Sequence, residues 1–237
     1  MHQPHGALPN INFKNTSAKE IENIIRSLKA KESHGYDEIT TTILKIGAPF
    51  ISFPLTYIFN KAMITGTFPS RLKYALIKPI FKNGDKKKVA NYRPISLLPS
   101  FSKILEKIMY SRLTNYVVTN NILAQEQCGF RPSSSTELAS FNIINNILNE
   151  LQKKNIVGGI FLDLQKVFDC VNHDILLNKL HSYGVTGGFF KLIKTFLQNR
   201  YQRVVLNNNY SNLVSEWGKT THGVPQGLIL GPLLFLL

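Results

Sequence analysis

The chain has 237 residues, 43% of them apolar, enough for one sizeable core or two small ones. Its formal net charge of +14 favours a polyanionic partner, above all nucleic acid, over a merely basic, non-binding protein. Two cysteines, Cys128 and Cys170, exclude a disulfide framework or an all-cysteine zinc site, and point to a reducing, intracellular setting, nuclear or cytoplasmic. The opening MHQPHGALPN lacks the charged-then-apolar order of a signal peptide. No uninterrupted apolar run approaches the ~20 residues that span a bilayer, so no membrane partner is expected.

In chain order, residues 1–17 read as a loose lead-in. Ser17 and Glu20 have the spacing of a capping box, and Ile21, Ile24, Ile25 and Leu28 follow at helical spacing. Gly35 is expected to break that helix. A second helical stretch covers about 40–64, with Pro49 and Pro54 expected to interrupt it. Residues 75–81 carry Lys78 and Pro79 among apolar neighbours, which suits an edge strand. NGDKKK over 83–88 is a basic turn, and Tyr92-Arg93-Pro94 leads into a short strand over 95–98. Leu105, Ile108, Met109, Leu113 and Tyr116 make one helix face. Residues 128–136 form a loop, and Ser134 with Glu137 can cap a helix over about 136–152.

GGIFLDL over 158–164 reads as a buried strand. Asn172 caps a helix that ends near Gly184, and Phe189, Leu192, Ile193, Phe196 and Leu197 make another amphipathic helix. Residues 202–218 read as two strands around a polar turn. HGVPQG over 222–227 is a tight loop before an apolar run, read as the start of a buried helix that Leu237 cuts through. The class is α+β.

Asp163 stands at the exit of the predicted strand. A buried carboxylate is costly unless paired, hydrogen-bonded or bound to a metal. Magnesium takes such hard oxygen ligands, and a sheet would hold one in place. A capping or salt-bridged carboxylate is the alternative, with equal weight for Asp169, three residues before Asn172. His173 and Asp174 read as first-turn residues, Asp174 favoured there by the helix dipole. Residues 223–227 place the Gln226 amide in a glycine-flanked turn, where backbone can approach a ligand; an ordinary tight turn is the alternative. Arg93 and Arg131 each precede a proline and, with Lys82, Lys86, Lys87 and Lys88, can contact phosphates. For the lysines a solvated surface is the simpler reading. Arg200 and Arg203 flank Tyr201 and are candidates for nucleic-acid backbone contacts.

NYRPISLLPSFSKILEKI, QCGFRPSSST, FLDLQKVFDCVNHDILL and GVPQGLILGPLLFLL stand in one order with regular gaps. Together they resemble the reverse transcriptase of non-LTR (LINE-type, jockey-like) retrotransposons over about 75–237. The resemblance implies a right-hand polymerase fold: a helical segment over 18–74, fingers over 75–157 and a partial palm over 158–237. It implies DNA synthesis on an RNA template from a DNA primer, with deoxynucleoside triphosphates and two magnesium ions. On this resemblance Asp163 is the first catalytic aspartate and a metal ligand, and Leu164 offers a metal its main-chain carbonyl. Lys166 and Val167 present backbone N–H groups to the triphosphate, and Arg93 reaches it. Phe168 stands where an aromatic gate excludes a ribose 2′-hydroxyl, and Gln226 lies against the sugar and the template pair. Asp169 has a structural place.

The departures are Val167 for a usual alanine, Leu228 for serine, Cys128 for an aromatic, and SHGYDE over 33–38 for a proline-glycine turn. The family's aromatic–X–Asp–Asp hairpin is not in the sequence, so this chain is expected not to polymerise alone. The alternative functions are a non-catalytic basic RNA-binding remnant and the unstable product of a decayed element.

Overall fold

A computed structural model of the chain describes residues 8–11, 14–131, 134–164, 167–208, 211–225 and 227–237. Helix α1 (Ala18–Ser27) begins as its capping box requires, with Ser17 Oγ accepting the Glu20 N–H at 3.2 Å. The Glu20 carboxylate turns outward instead of closing the box. It accepts the Thr16 hydroxyl at 2.9 Å and both arms of Arg112 at 2.7 and 2.8 Å. That bidentate pair ties α1 to the later helix α3 (Ser100–Thr119).

Helix α2 (Thr41–Thr65) runs unbroken through Pro49 and Pro54, contrary to expectation. Each proline leaves the carbonyl four residues earlier without a helical partner. Both lie on the exposed side, where water can take that carbonyl. Leu44, Ala48, Leu55, Phe59 and Met63 enter the core from α2. Its other side leaves Ile43, Ile46, Phe50, Phe53 and Tyr57 exposed by 57–82%. By length and composition alone α2 is long and apolar enough to cross a bilayer, although polar residues and two prolines interrupt its apolar runs, and its inner face belongs to the core.

The strands are β1 (Tyr74–Phe81), β2 (Tyr92–Leu97), β3 (Arg200–Asn208), β4 (Ser211–Val214) and β5 (Gly218–Thr220). Their order is β2-β1-β3-β4, with β5 also on β3. β1 and β2 form an antiparallel hairpin, Leu76 opposite Leu97 and Phe81 opposite Tyr92. β1 and β3 pair in parallel, Tyr74 beside Tyr201 and Ile77 beside Val204. So β1 is an interior strand, not the predicted edge. Pro79 is tolerated because the parallel ladder stops at Ile77, two residues before the missing N–H. The strand pair read over 202–218 is β3 and β4, and β5 adds a third.

The predicted face of α3 is buried, with Leu105, Ile108, Met109 and Leu113 fully enclosed. α5 (His173–Ser182) starts at Asn172, whose Oδ1 accepts the Asp174 and Ile175 N–H groups. α6 (Gly187–Leu197) buries all five predicted residues, and Phe196 meets Phe68 edge-on at 5.0 Å. The terminal run forms α7 (Gly231–Leu236), with Leu233 and Leu234 in the same core. α4 (Thr136–Gln152) is capped by Ser135, one residue past the expected Ser134, and buries none of its residues.

Residues 158–164 are not a buried strand. They run without regular structure, and Ile160, Phe161 and Leu162 are 84–89% exposed. A strand exists only against a neighbour's open edge. The described strands pair among themselves, and none lies beside this segment. Apolar content records a wish for burial but names no partner.

Arg112 donates to the Glu20 carboxylate and holds it below the usual carboxylate range, against the burial that pushes it up. A lowered native value contributes stability above the unfolded carboxylate range and loses it as pH falls through the native one. Glu20→Gln is therefore expected to cost about 1–2 kcal/mol near neutral pH. Thermal melts should show the difference from the parent chain closing as pH is taken below the native value.

Candidate functional site

Two segments that the sequence marks for chemistry meet in space. Gly223 donates its N–H to the Val171 carbonyl and Val224 donates to Phe168, both at 2.8 Å. His173 Nε2 lies 2.8 Å from the Gly223 carbonyl. A carbonyl only accepts, so Nε2 carries the hydrogen. Gly223 has φ +78°, and a Cβ there would sit 2.8 Å from the Asp169 carbonyl oxygen and 2.9 Å from its Cα. Only glycine fits that approach. Gly227, at φ +107°, backs onto β2, where a Cβ would come within 3.1 Å of the Ser96 oxygen. The loop is thus wedged between the 168–171 turn and the sheet.

A cleft of about 510 Å³ opens where turn, loop and sheet converge, within the range of small-molecule sites. Ser96, Asp169, Gln202, Arg203, Gly223 and Pro225 line it. Phe168 stands beside the loop, half-buried, its ring edge-on to Phe130 at 6.0 Å and tilted against Phe235 at 5.2 Å. Val167 precedes it, also half-buried. Lys166 and Gln226 lie outside the described residues.

Asp163 is exposed on the extended segment, and Leu164 is 69% exposed. The burial that singled Asp163 out is therefore absent. Asp169, read as structural, and Glu216 are the acidic residues among those lining the cleft. Arg93 stands exposed on β2, next to Pro94 at the cleft wall. Arg203 is among the residues at the cleft, but its guanidinium lies 4.6 Å over the Trp217 ring, on the sheet face of Tyr201. Its Nε is buried and has no hydrogen-bond partner among the described residues. Arg131 braces its own loop, Nη1 donating to the Ala124 carbonyl at 3.0 Å. Lys82, Lys86, Lys87 and Lys88 stand exposed at the hairpin tip.

Arg200 requires a correction, because a side chain 2% exposed cannot grip a nucleic-acid backbone. Strand alternation turns it away from the face of Tyr201 and Arg203. Its Nη1 donates to the Phe196 carbonyl at 3.1 Å, and its Cζ lies 4.9 Å from the Phe196 ring centroid. Burial pushes the guanidinium down to about 10, opposed by the Glu106 charge.

Hard oxygen donors suit magnesium, but two ions need several converging carboxylates. Among the described residues no group of three or more His, Cys, Asp or Glu could hold a metal ion. Asp163 lacks a sheet beneath it. The residues as arranged do not fit a two-ion site. Sequence reading missed the clamp from His173, the cleft position of Asp169 and the stacking of Trp217 under Arg203. The His173 contact spans 50 residues, and no local pattern signals it.

Residues 84–237 match the family model described as "Reverse transcriptase (RNA-dependent DNA polymerase)". The chain is 33% identical over 224 residues to "Probable RNA-directed DNA polymerase from transposon BS" of Drosophila melanogaster, covering 94% of this chain and 24% of that protein. It is 33% identical over 218 residues to "RNA-directed DNA polymerase from mobile element jockey" of Drosophila funebris, covering 92% and 23%. A more distant relative, "Transposon TX1 uncharacterized 149 kDa protein" of Xenopus laevis, is 24% identical over 224 residues, 92% of this chain and 16% of that protein. At 24% and 23% coverage, the chain spans about a quarter of the length of the two Drosophila relatives.

The close approach at Gly223 gives a direct check. Gly223→Ala is expected to destabilise the chain by about 2 kcal/mol or more, combining positive-φ strain with a backbone collision. Gly218→Ala, whose Cβ would meet only the Gln202 carbonyl oxygen at 3.8 Å, should stay close to the parent. Denaturant titration of both variants measures the contrast.

Proposed function

The chain belongs to the reverse transcriptase family, and on that premise we propose that its cleft receives the incoming deoxynucleoside triphosphate during RNA-templated DNA synthesis. It is a reverse transcriptase domain of the kind found in non-LTR retrotransposons. The observation that carries the proposal is the joining of the 168–171 turn to the 223–224 loop beside a cleft of about 510 Å³. In this reading 18–74 is a helical segment before the fingers, 75–157 the fingers and 158–237 part of the palm.

Phe168 acts as the sugar-side gate. Its ring is braced by Phe130 and Phe235, and a braced ring excludes a hydroxyl by sterics where a mobile one would yield. The backbone N–H groups of Lys166 and Val167 meet the triphosphate, Arg93 approaches it from β2, and Gln226 lies against the sugar and template pair. Arg131 and Arg203 serve the RNA template and DNA primer, together with the lysines of the hairpin tip. Arg200 drops out of that set.

The family's chemistry runs on magnesium. Asp163 and the Leu164 carbonyl take a ligand's part only when 158–164 is drawn into a sheet with further carboxylates beside it. A second reading, a basic RNA-binding domain without catalysis, is favoured by the same isolation of Asp163 and by the exposed lysines of the tip.

The purified chain by itself is expected to extend an oligo(dT) primer on poly(rA) no better than its Asp163→Ala variant. It should still bind that primer–template, with affinity falling steeply as salt rises, because phosphate contacts release counterions. Replacing Lys86, Lys87 and Lys88 together by alanine should flatten the salt slope, read by fluorescence anisotropy. Extension above the control would overturn the incomplete site, and absence of binding at low salt would overturn the nucleic-acid reading.

A further inference from the structure

Glu106 on α3 is fully enclosed by protein. Its carboxylate accepts the Ser102 hydroxyl at 2.8 Å and, through the other oxygen, the Ile229 N–H at 3.0 Å. Ile229 lies 123 residues further along the chain and only two beyond Gly227. Burial raises the Glu106 carboxyl, while Arg200, Ser102 and the Ile229 and Leu230 amides pull it back down. Arg200 is itself buried, and its Nε and Nη2 have no hydrogen-bond partner among the described residues. It balances the carboxylate as a charge while its one described hydrogen bond goes to Phe196.

A core gains nothing in stability from two such groups. Apolar residues of similar volume are commonly as stable or more so. What the carboxylate supplies is a charge-assisted, directional hold on one backbone amide. That amide closes the cleft loop from behind. The front end is already fixed by the hydrogen bonds of Gly223 and Val224 and by His173. Among the described residues between the two anchors, Leu228 donates its N–H to the Pro225 carbonyl at 3.3 Å and is buried, as is Leu230 just past Ile229.

We propose that Glu106 is a positioning residue for the cleft loop: its enclosed carboxylate fixes the Ile229 end and so sets the place of Pro225 and Gly227 against the nucleotide. The consequence for the nucleotide rests on the reading of the cleft given above. The anchor itself does not.

The test is amide hydrogen exchange on the whole chain, paired with affinity for a fluorescent deoxyadenosine triphosphate analogue. Glu106→Leu removes the acceptor, and Glu106→Leu with Arg200→Met also removes the stranded guanidinium, so that one variant keeps its fold. Glu106→Gln retains one acceptor oxygen and serves as the conservative rescue. Ser102→Ala loosens the carboxylate without emptying its place. In the double variant, exchange at 227–230 is expected to rise about tenfold or more while α3 and α6 keep their protection. Glu106→Gln should recover most of that protection, and analogue affinity should follow the same order. Unchanged exchange at 227–230, or an equal rise everywhere, overturns the proposal. If exchange follows the expected pattern and the unmodified chain binds no analogue, the anchor stands and the nucleotide reading of the cleft falls.

Discussion

Four residue pairs, Tyr74–Tyr201 through Ile77–Val204, hold the first third of the chain to the last. Parallel pairing cannot be made by a turn and needs a long crossover, which here carries α3 to α6. Once the ladder is made, it sorts the side chains. Ile77, Gln202 and Val204 look into the cleft. Tyr74 and Tyr201 stack at 5.4 Å on the other face, where Trp217 meets Tyr74 edge-on at 5.0 Å. β5 then pairs with β3 and delivers the residues after Thr220 to the 168–171 turn. Without that ladder the two marked segments have no reason to meet.

The loop itself is defined by backbone chemistry more than by side chains. Gly223 contributes a conformation and an N–H, and His173 contributes a donor to a carbonyl. A loop held this way tolerates change in the side chains it displays. Leu228, one of the departures from the motif that the resemblance implies, enters the core instead of the cleft. The substitution therefore alters packing behind the loop and leaves its front unchanged.

Local signals were legible. Ser17 and Asn172 cap their helices, and the apolar faces of α3 and α6 are buried as their spacing required. The four motifs pointed to the right family and to the turn and loop that converge. What the sequence could not reveal was set by distant partners. The interior place of β1 depends on β3, and the burial of Arg200 depends on Glu106 and Phe196. The segment 158–164 is the instructive failure. Its composition is that of a buried strand, yet burial needs an edge to pair with, which composition does not supply. Asp163 inherited that error, because its expected environment was borrowed from the strand.

The outward sides of α2 and α4 and the 158–164 segment together display a great deal of apolar surface. On a neutral protein such surfaces would find each other quickly. This chain carries a formal net charge of +14, and like charge keeps copies apart over a Debye length. Its colloidal behaviour is therefore a balance between long-range repulsion and short-range stickiness. Counterions that screen the repulsion shift that balance towards self-association, and a bound polyanion that neutralises the charge without covering the apolar faces shifts it the same way. For such a domain, solubility is a property of the charge, and the fold alone does not secure it.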